Sequence, residues 1–168
     1  LAFIRDGSDE PLEPVDLTAL IREAVTPYNQ QQEKVRLCLD ELPELPLRRV
    51  SMKRLLVNLI DNALHYGGEG VEVAAAVEGG RTAPYLVLSV LDRGPGLSAE
   101  ELNVLFNPFI RGDSARGGKG SGLGLAIVRR VAALHGGAVE LRNRNGGGLE
   151  ARVCLPLGLL LPREAASG

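Results

Sequence analysis

Asn58 and Asn62 stand four residues apart within "SMKRLLVNLIDNALHYGG", residues 51–68. On a helix that spacing puts both amides on one face. Asparagine is a poor helix former, so two of them in one stripe ask for a reason. They are either solvated surface or ligands. An amide oxygen is a neutral, hard ligand that suits Mg²⁺, which prefers oxygen and keeps substrate phosphates and waters in its shell. Being uncharged, it leaves the ion's positive charge for those phosphates. Arg54, Asp61 and His65 fall on the same side of this helix.

A second group is "DRGPG", residues 92–96, at the end of the strand-like run Tyr85–Leu91. Asp and Gly are at home in a tight turn. A carboxylate at a strand end, beside Gly94 and Gly96, is also placed to accept a hydrogen bond from an exocyclic amine. A third group is "GGKGSGLGLAIVRRV", residues 117–131, where five glycines give way abruptly to apolar residues. Glycine costs backbone entropy, a cost accepted where the chain must approach something closely or move. The free N–H groups of a helix N-terminus bind anions, phosphate above all. Two familiar phosphate loops do not fit. A P-loop needs a glycine where Asp113 stands and a hydroxyl residue where Gly120 stands. A dinucleotide fingerprint needs a buried strand just before its glycines, and "RGDSARGGK" is none.

These groups need elements to hold them. Asp16 is a good N-cap for a helix patterned by Leu17, Leu20, Ile21, Ala24, Val25 and Tyr28. Val35–Leu39 reads as a strand, and "ELPELPLRRV" as a proline-punctuated loop with a short strand near Arg48. Ser51 is expected to cap the asparagine helix. Its apolar stripe is Met52, Leu55, Leu56, Leu59, Ile60, Ala63 and Leu64, and Gly67-Gly68 ends it. Val71–Val77 and Tyr85–Leu91 are strands, and Ala99–Leu105 a short helix. Residues 107–121 form a long polar loop, the usual form of a lid. Leu123–His135 is a helix stopped by Gly136-Gly137, and a hairpin around "NRNGGG" closes the unit. Helices and strands do not alternate strictly, so a mixed sheet with helices on one face fits. Residues 1–14 read as the end of a preceding element and a linker, and the tail after Pro156 as loose.

Composition narrows the classes. The 168 residues carry 19 basic and 21 acidic side chains, a net charge of -2, and 45% are hydrophobic. That balance gives no electrostatic argument for nucleic acid or an anionic membrane. No apolar run approaches the ~20 residues of a membrane span, and no signal peptide is recognised at Leu1. Cys38 and Cys154 make neither a disulfide framework nor a zinc site and are read as small core residues. A soluble domain of a reducing compartment is expected. The chain opens without Met, as a piece of a longer protein would.

Together the motifs resemble the catalytic, ATP-binding domain of sensor histidine kinases, in the superfamily shared with gyrase, Hsp90 and MutL. "NLIDNALHYG" resembles the N box, "DRGPGL" the G1 box, "LFNPFIRGDSAR" the F box and "GSGLGLAIV" the G2 box. The F-box run and the closing "GGGLEARVCLPL" are similar to those of the osmosensor EnvZ and its relatives. The resemblance implies an α+β, two-layer (Bergerat, GHKL) fold. It has a mixed, mainly antiparallel sheet of about five strands, three main helices on one face and a flexible ATP lid. It divides the chain into residues 1–15 (end of a dimerisation helix and linker), 16–157 (catalytic domain) and 158–168 (tail).

The resemblance also implies the roles. Asn62 ligates Mg²⁺, and Asn58 supports the metal–phosphate site. Tyr66 lies against the adenine, Asp92 accepts from the adenine amine, and Gly94 and Gly96 admit the base. Arg111, next to Gly112 in the lid, reaches the terminal phosphate. Gly120, Ser121, Gly122, Leu123, Gly124 and Leu125 bring helix N–H groups to the phosphates. The implied ligands are ATP, ADP and Mg²⁺. The implied protein partners are a histidine-bearing dimerisation domain and a response regulator. The implied setting is the cytoplasmic domain of a bacterial inner-membrane protein. Two departures stand out. His65 occupies a place where the family has Lys or Arg, and the phospho-accepting histidine is missing. His135 reads as a cation suited to a helix C-terminus. Hydrolysing relatives carry a glutamate base where this chain has Asn58, and an amide cannot take that proton. Phosphoryl transfer to an outside histidine is therefore expected over ATP hydrolysis, with a non-catalytic nucleotide-binding module as the other reading.

Overall fold

The computed structural model describes residues 9–68, 70–101 and 122–157, apart from the side chains of residues 122 and 123. The elements are β1 (Glu13–Val15), α1 (Leu17–Val25) with a 3₁₀ turn at Thr26–Asn29, β2 (Val35–Leu39), β3 (Leu45–Leu47) and α2 (Arg49–Gly67). They continue with β4 (Val71–Glu78), β5 (Tyr85–Leu91), α3 (Gly122–Leu134), β6 (Ala138–Asn143) and β7 (Leu149–Pro156). A five-stranded sheet has the order β2-β4-β5-β7-β6. Only β2 and β4 run parallel, joined by a crossover that contains α2. The other pairs are antiparallel. This is the expected mixed sheet with α1, α2 and α3 on one face.

Strand alternation explains the core. Val71, Val73 and Ala75 point inward, as do Leu86, Leu88 and Val90, and Ala151, Val153 and Leu155. They meet Leu55, Leu56, Leu59 and Ile60 of α2, all at most 2% exposed. Each such side chain contributes about 1.5–3 kcal/mol by burial. Asp16 caps α1 as expected, its Oδ1 accepting from the Ala19 N–H at 3.1 Å. The helices α2 and α3 lie antiparallel. Gly124 at the start of α3 faces Asn58, and Arg48, just before α2, donates through Nη1 to the Leu134 carbonyl at the end of α3 (2.8 Å).

Four expectations change. Ser51 does not cap α2. The helix begins from Arg48, which makes no side-chain cap bond, and Ser51 lies inside the first turn. Its hydroxyl donates to Glu10 (2.7 Å). The segment read as linker through Pro14 ends in a strand, with Glu13, Pro14 and Val15 opposite Leu47, Pro46 and Leu45. Cys38 is exposed and Cys154 half-buried, because each occupies the solvent-facing phase of its strand. His135 is 2% exposed, and burial lowers its pKa. It is a neutral core group and not a surface cation.

Candidate functional site

A cleft opens between the C-terminal half of α2, the end of β5 and the start of α3. Its walls include Leu59, Ala63, Leu97, Leu125, Leu141 and Ala151, and its polar groups are Asn62, Tyr66 and Asp92. An apolar slot with a few convergent polar groups is the usual form of a small-molecule site.

Asp92 is 4% exposed. Its Oδ1 accepts from the Gly94 N–H (2.9 Å) and the Leu149 N–H (3.1 Å). Its Oδ2 has no hydrogen-bond partner among the described residues, and the side chain lines the cleft. The backbone of Asp92 is held as firmly. Its N–H donates to Leu149 O (3.0 Å), and its carbonyl accepts from Arg144 Nη1 (2.7 Å). The neighbouring glycines follow from this crowding. A Cβ on Gly67 would overlap the Asp92 side chain, and one on Gly94 would lie 2.6 Å from the Gly67 Cα. The end of β5 can cross the end of α2 this closely only without side chains there. Gly96 has φ +75°, and a Cβ on it would sit 2.5 Å from Asn143 Oδ1. Packing within the protein thus accounts for both G1 glycines.

Asn143 and Arg144 were not singled out by sequence. Asn143 accepts from the Leu97 N–H (2.8 Å) and donates to the Leu97 carbonyl (2.6 Å). It pins one wall of the cleft as a neighbouring strand would. The only sequence signal was an Asn-Arg pair ahead of a glycine turn, which hairpins use without any further role.

At the other end lie the two asparagines. Asn58 Nδ2 donates to the Arg54 carbonyl (2.8 Å), which orients Oδ1. A Cβ on Gly124 would be 3.2 Å from that Oδ1 and 3.8 Å from Asn62 Nδ2. The start of α3 therefore closes directly over both amides. Asn62 Nδ2 is buried and has no hydrogen-bond partner among the described residues. A buried donor without an acceptor costs about 1–3 kcal/mol, a cost that a ligand oxygen removes. No cluster of three His, Cys, Asp or Glu that could hold a metal occurs among the described residues. The donor set here is amide oxygen, which fits Mg²⁺ bound together with phosphates.

His65 is exposed on the last turn of α2, its ring edge-on to Tyr66 with centroids 4.7 Å apart. Tyr66 is half-buried in the cleft wall, and Leu125 is buried beside it. Asp61 faces away toward the 3₁₀ turn after α1, where the Tyr28 hydroxyl donates to it (2.6 Å). Arg111, Gly112, Gly120 and Ser121, with the rest of the expected lid, lie outside the described residues. Gly122 and Leu123 are described only as backbone of α3. No helix among the described residues is long and apolar enough to cross a membrane.

The sequence profile of the histidine kinase-, DNA gyrase B- and HSP90-like ATPases matches residues 48–159. The chain belongs to this ATPase family. It is 40% identical over 152 residues to the sensor protein CutS of Streptomyces coelicolor, covering 86% of this chain and 36% of CutS. It is 40% identical over 153 residues to the sensor histidine kinase GtrS of Pseudomonas aeruginosa, covering 89% of this chain and 30% of GtrS. The chain thus spans about a third of the length of these relatives. Among solved structures, the histidine kinase domain of the E. coli osmosensor EnvZ superposes with a TM-score of 0.68 at 33% identity, covering 94% of this chain and 96% of that one. Full-length ShkA in complex with AMPPNP gives 0.69 at 29%, covering 86% and 31%. The ATPase-family domain is therefore homologous to the catalytic domains of two-component kinases.

Proposed function

We propose that the domain binds ATP with Mg²⁺ in the α2–α3 cleft. It presents the terminal phosphoryl group to a histidine on a separate dimerisation domain, for relay to a response regulator. The observation that carries this is Asp92: one carboxylate oxygen is occupied by two backbone N–H groups, and the other is kept for the cleft. That oxygen accepts from the adenine amine. Tyr66 and Leu125 flank the base. Asn62 and Asn58 hold the metal–phosphate end, with the α3 N-terminus above them and Arg111 from the lid on the terminal phosphate. Gly112, Gly120, Ser121, Gly122, Leu123 and Gly124 complete the phosphate contacts, and His65 stands at the rim. Bound Mg²⁺ supplies charge neutralisation along the phosphates, and positioning carries most of such a transfer.

Two structural facts favour transfer to an outside histidine. Asn58 has no proton-accepting group at neutral pH, and Asp61 is engaged by Tyr28. Neither histidine suits the acceptor role. His135 is buried with both ring nitrogens engaged, and His65 rides on the nucleotide-binding helix itself. The whole protein is read as a bacterial inner-membrane sensor kinase with this domain in the cytoplasm. The EnvZ-like closing motifs are kept at the level of the kinase group, since CutS and GtrS are also similar, and no stimulus is assigned.

The test adds a dimerisation fragment bearing the acceptor histidine in trans. Radiolabel should pass from ATP to the fragment, slowly without the covalent link, while phosphate release by the domain alone stays very slow. Brisk release without transfer would make the chain an ATPase. Neither release nor transfer, with binding intact, would make it a nucleotide-binding module.

A further inference from the structure

Glu10 precedes β1 by three positions, yet its carboxylate caps a helix far along the chain. Oε2 accepts from the Val50 N–H (2.7 Å), and Oε1 accepts from the Ser51 N–H (3.0 Å) and the Ser51 hydroxyl (2.7 Å). First-turn N–H groups have no intrahelical acceptor, and the helix dipole favours an anion there. Burial works to raise the Glu10 pKa. The bonds from Ser51 Oγ, Val50 N–H and Ser51 N–H, with the Arg48 charge, outweigh it, and the carboxyl is held below its ordinary value. Arg48 extends the junction. Its backbone N–H donates to His135 Nε2 (3.0 Å), and its guanidinium donates to Leu134 O (2.8 Å). The leading segment, the start of α2 and the end of α3 thus meet at one place, and the β1–β3 pairing holds the segment there.

Further along the same two helices, from the middle of α2 onward, Gly124 near the start of α3 faces Asn58 and Asn62. From Val50 to Asn62 a helix spans about 18 Å and behaves as a stiff rod. Two antiparallel rods joined at one end keep their relative placement at the other. We propose that Glu10 is a positioning residue. Through the α2 cap it couples the leading segment to the Asn58 and Asn62 amides, so that displacing the segment loosens the metal–phosphate end of the cleft and leaves the Asp92 end unchanged. This rests on reading Asn58 and Asn62 as the metal–phosphate residues.

The experiment titrates the 168-residue chain, as wild type, Glu10→Ala, Glu10→Gln and Asn62→Ala, with Mg·ADP and with adenosine. Glu10→Ala should weaken Mg·ADP by about tenfold, in the range of a lost cap, while adenosine affinity is unchanged. Glu10→Gln keeps an acceptor without the charge and should lose less. Hydrogen exchange of α2 amides without nucleotide gives an independent reading. In Glu10→Ala, faster exchange should extend to Asn58 and Asn62. Acceleration confined to the first turn overturns the coupling. So does an equal loss of adenosine and Mg·ADP affinity, which is general destabilisation. If Asn62→Ala keeps its full response to Mg²⁺, the metal reading fails instead, and the exchange result alone decides the coupling.

Discussion

The two ends of the cleft are held by different means. Around Asp92 the protein supplies its own partners: two N–H groups on one carboxylate oxygen, Arg144 on the carbonyl, Asn143 on the adjoining wall and glycines where the chains cross. Around Asn58 and Asn62 the placement comes from the packing of α2 against α3, and one buried amide nitrogen has no acceptor among the described residues. On the proposed reading, the first end is fixed before any ligand arrives and selects the base, and the second gains its partners with the ligand and depends on how the helices sit. Base recognition and phosphate handling would then be separable in one pocket.

The sharpest test of this separation is Asp92→Asn. The amide can go on accepting from Gly94 and Leu149 only by turning its nitrogen to the cleft. A donor then faces the amine of adenine. ADP affinity should fall by about 100-fold, since each unpaired buried group costs about 1–3 kcal/mol. GDP presents a carbonyl there and should lose little or gain. Calorimetric titration with both nucleotides decides it. An equal loss for ADP and GDP would show that Asp92 is only a turn residue, and the selective end would not exist.

Asn62→Ala probes the other end with a smaller effect. The Mg²⁺-dependent part of ADP affinity should drop by about tenfold, the scale of a lost charge-assisted contact. Adenosine affinity should hold. Thermal stability should not fall, because the substitution removes a buried donor that has no partner among the described residues. A lower Tm together with weaker adenosine binding would mean that Asn62 is structural and that the two ends are one unit.

Sequence revealed the two ends unequally. The asparagine spacing and the apolar stripe of α2 were legible because a helix repeats on a fixed period, so positions 58 and 62 share a face whatever surrounds them. The strands β4 and β5 were legible as apolar runs bounded by turn residues, although Cys38 of β2 and Cys154 of β7 were read as core residues. What escaped reading were contacts between residues distant in the chain. Asn143 reaches Leu97 across 46 positions. The α2 cap comes from Glu10, 41 positions from Ser51, and a nearby serine imitated it. Local pattern has no access to such pairs, and the G1 glycines show the consequence. They were read as room for a ligand, and the close approach of Tyr66 and Gly67 to Gly94 and of Asn143 to Gly96 also requires them, while Gly96 still lines the cleft.

His135 supplies the smallest effect and a control remote from the cleft. Its Nε2 accepts from the Arg48 N–H (3.0 Å), so Nδ1 carries the proton and donates to Val131 O (2.8 Å). Burial is the largest influence on its pKa and lowers it. The Val131 carbonyl and the Glu10 charge pull upward, the Arg48 charge adds to the lowering, and the net direction is down. The unfolded chain therefore binds a proton here more readily than the folded one. The resulting stability is complete above the ordinary histidine value, about 6.5, and is lost as the pH falls toward the folded value. A proton on Nε2 would also set donor against donor at Arg48. Denaturant midpoints at pH values on either side of the ordinary histidine range should fall with acid in wild type and fall less in His135→Gln, whose amide oxygen can still accept. The variant should be less stable at the higher pH, having a different fit to Val131. Preference for ADP over GDP should be the same in both proteins at both pH values, because Asp92 is held by its own partners and not by this junction. Parallel midpoint profiles would remove His135 as the titrating group. A base preference that changed with it would show that the junction reaches the selective end of the cleft, and the separation of the two ends would be lost.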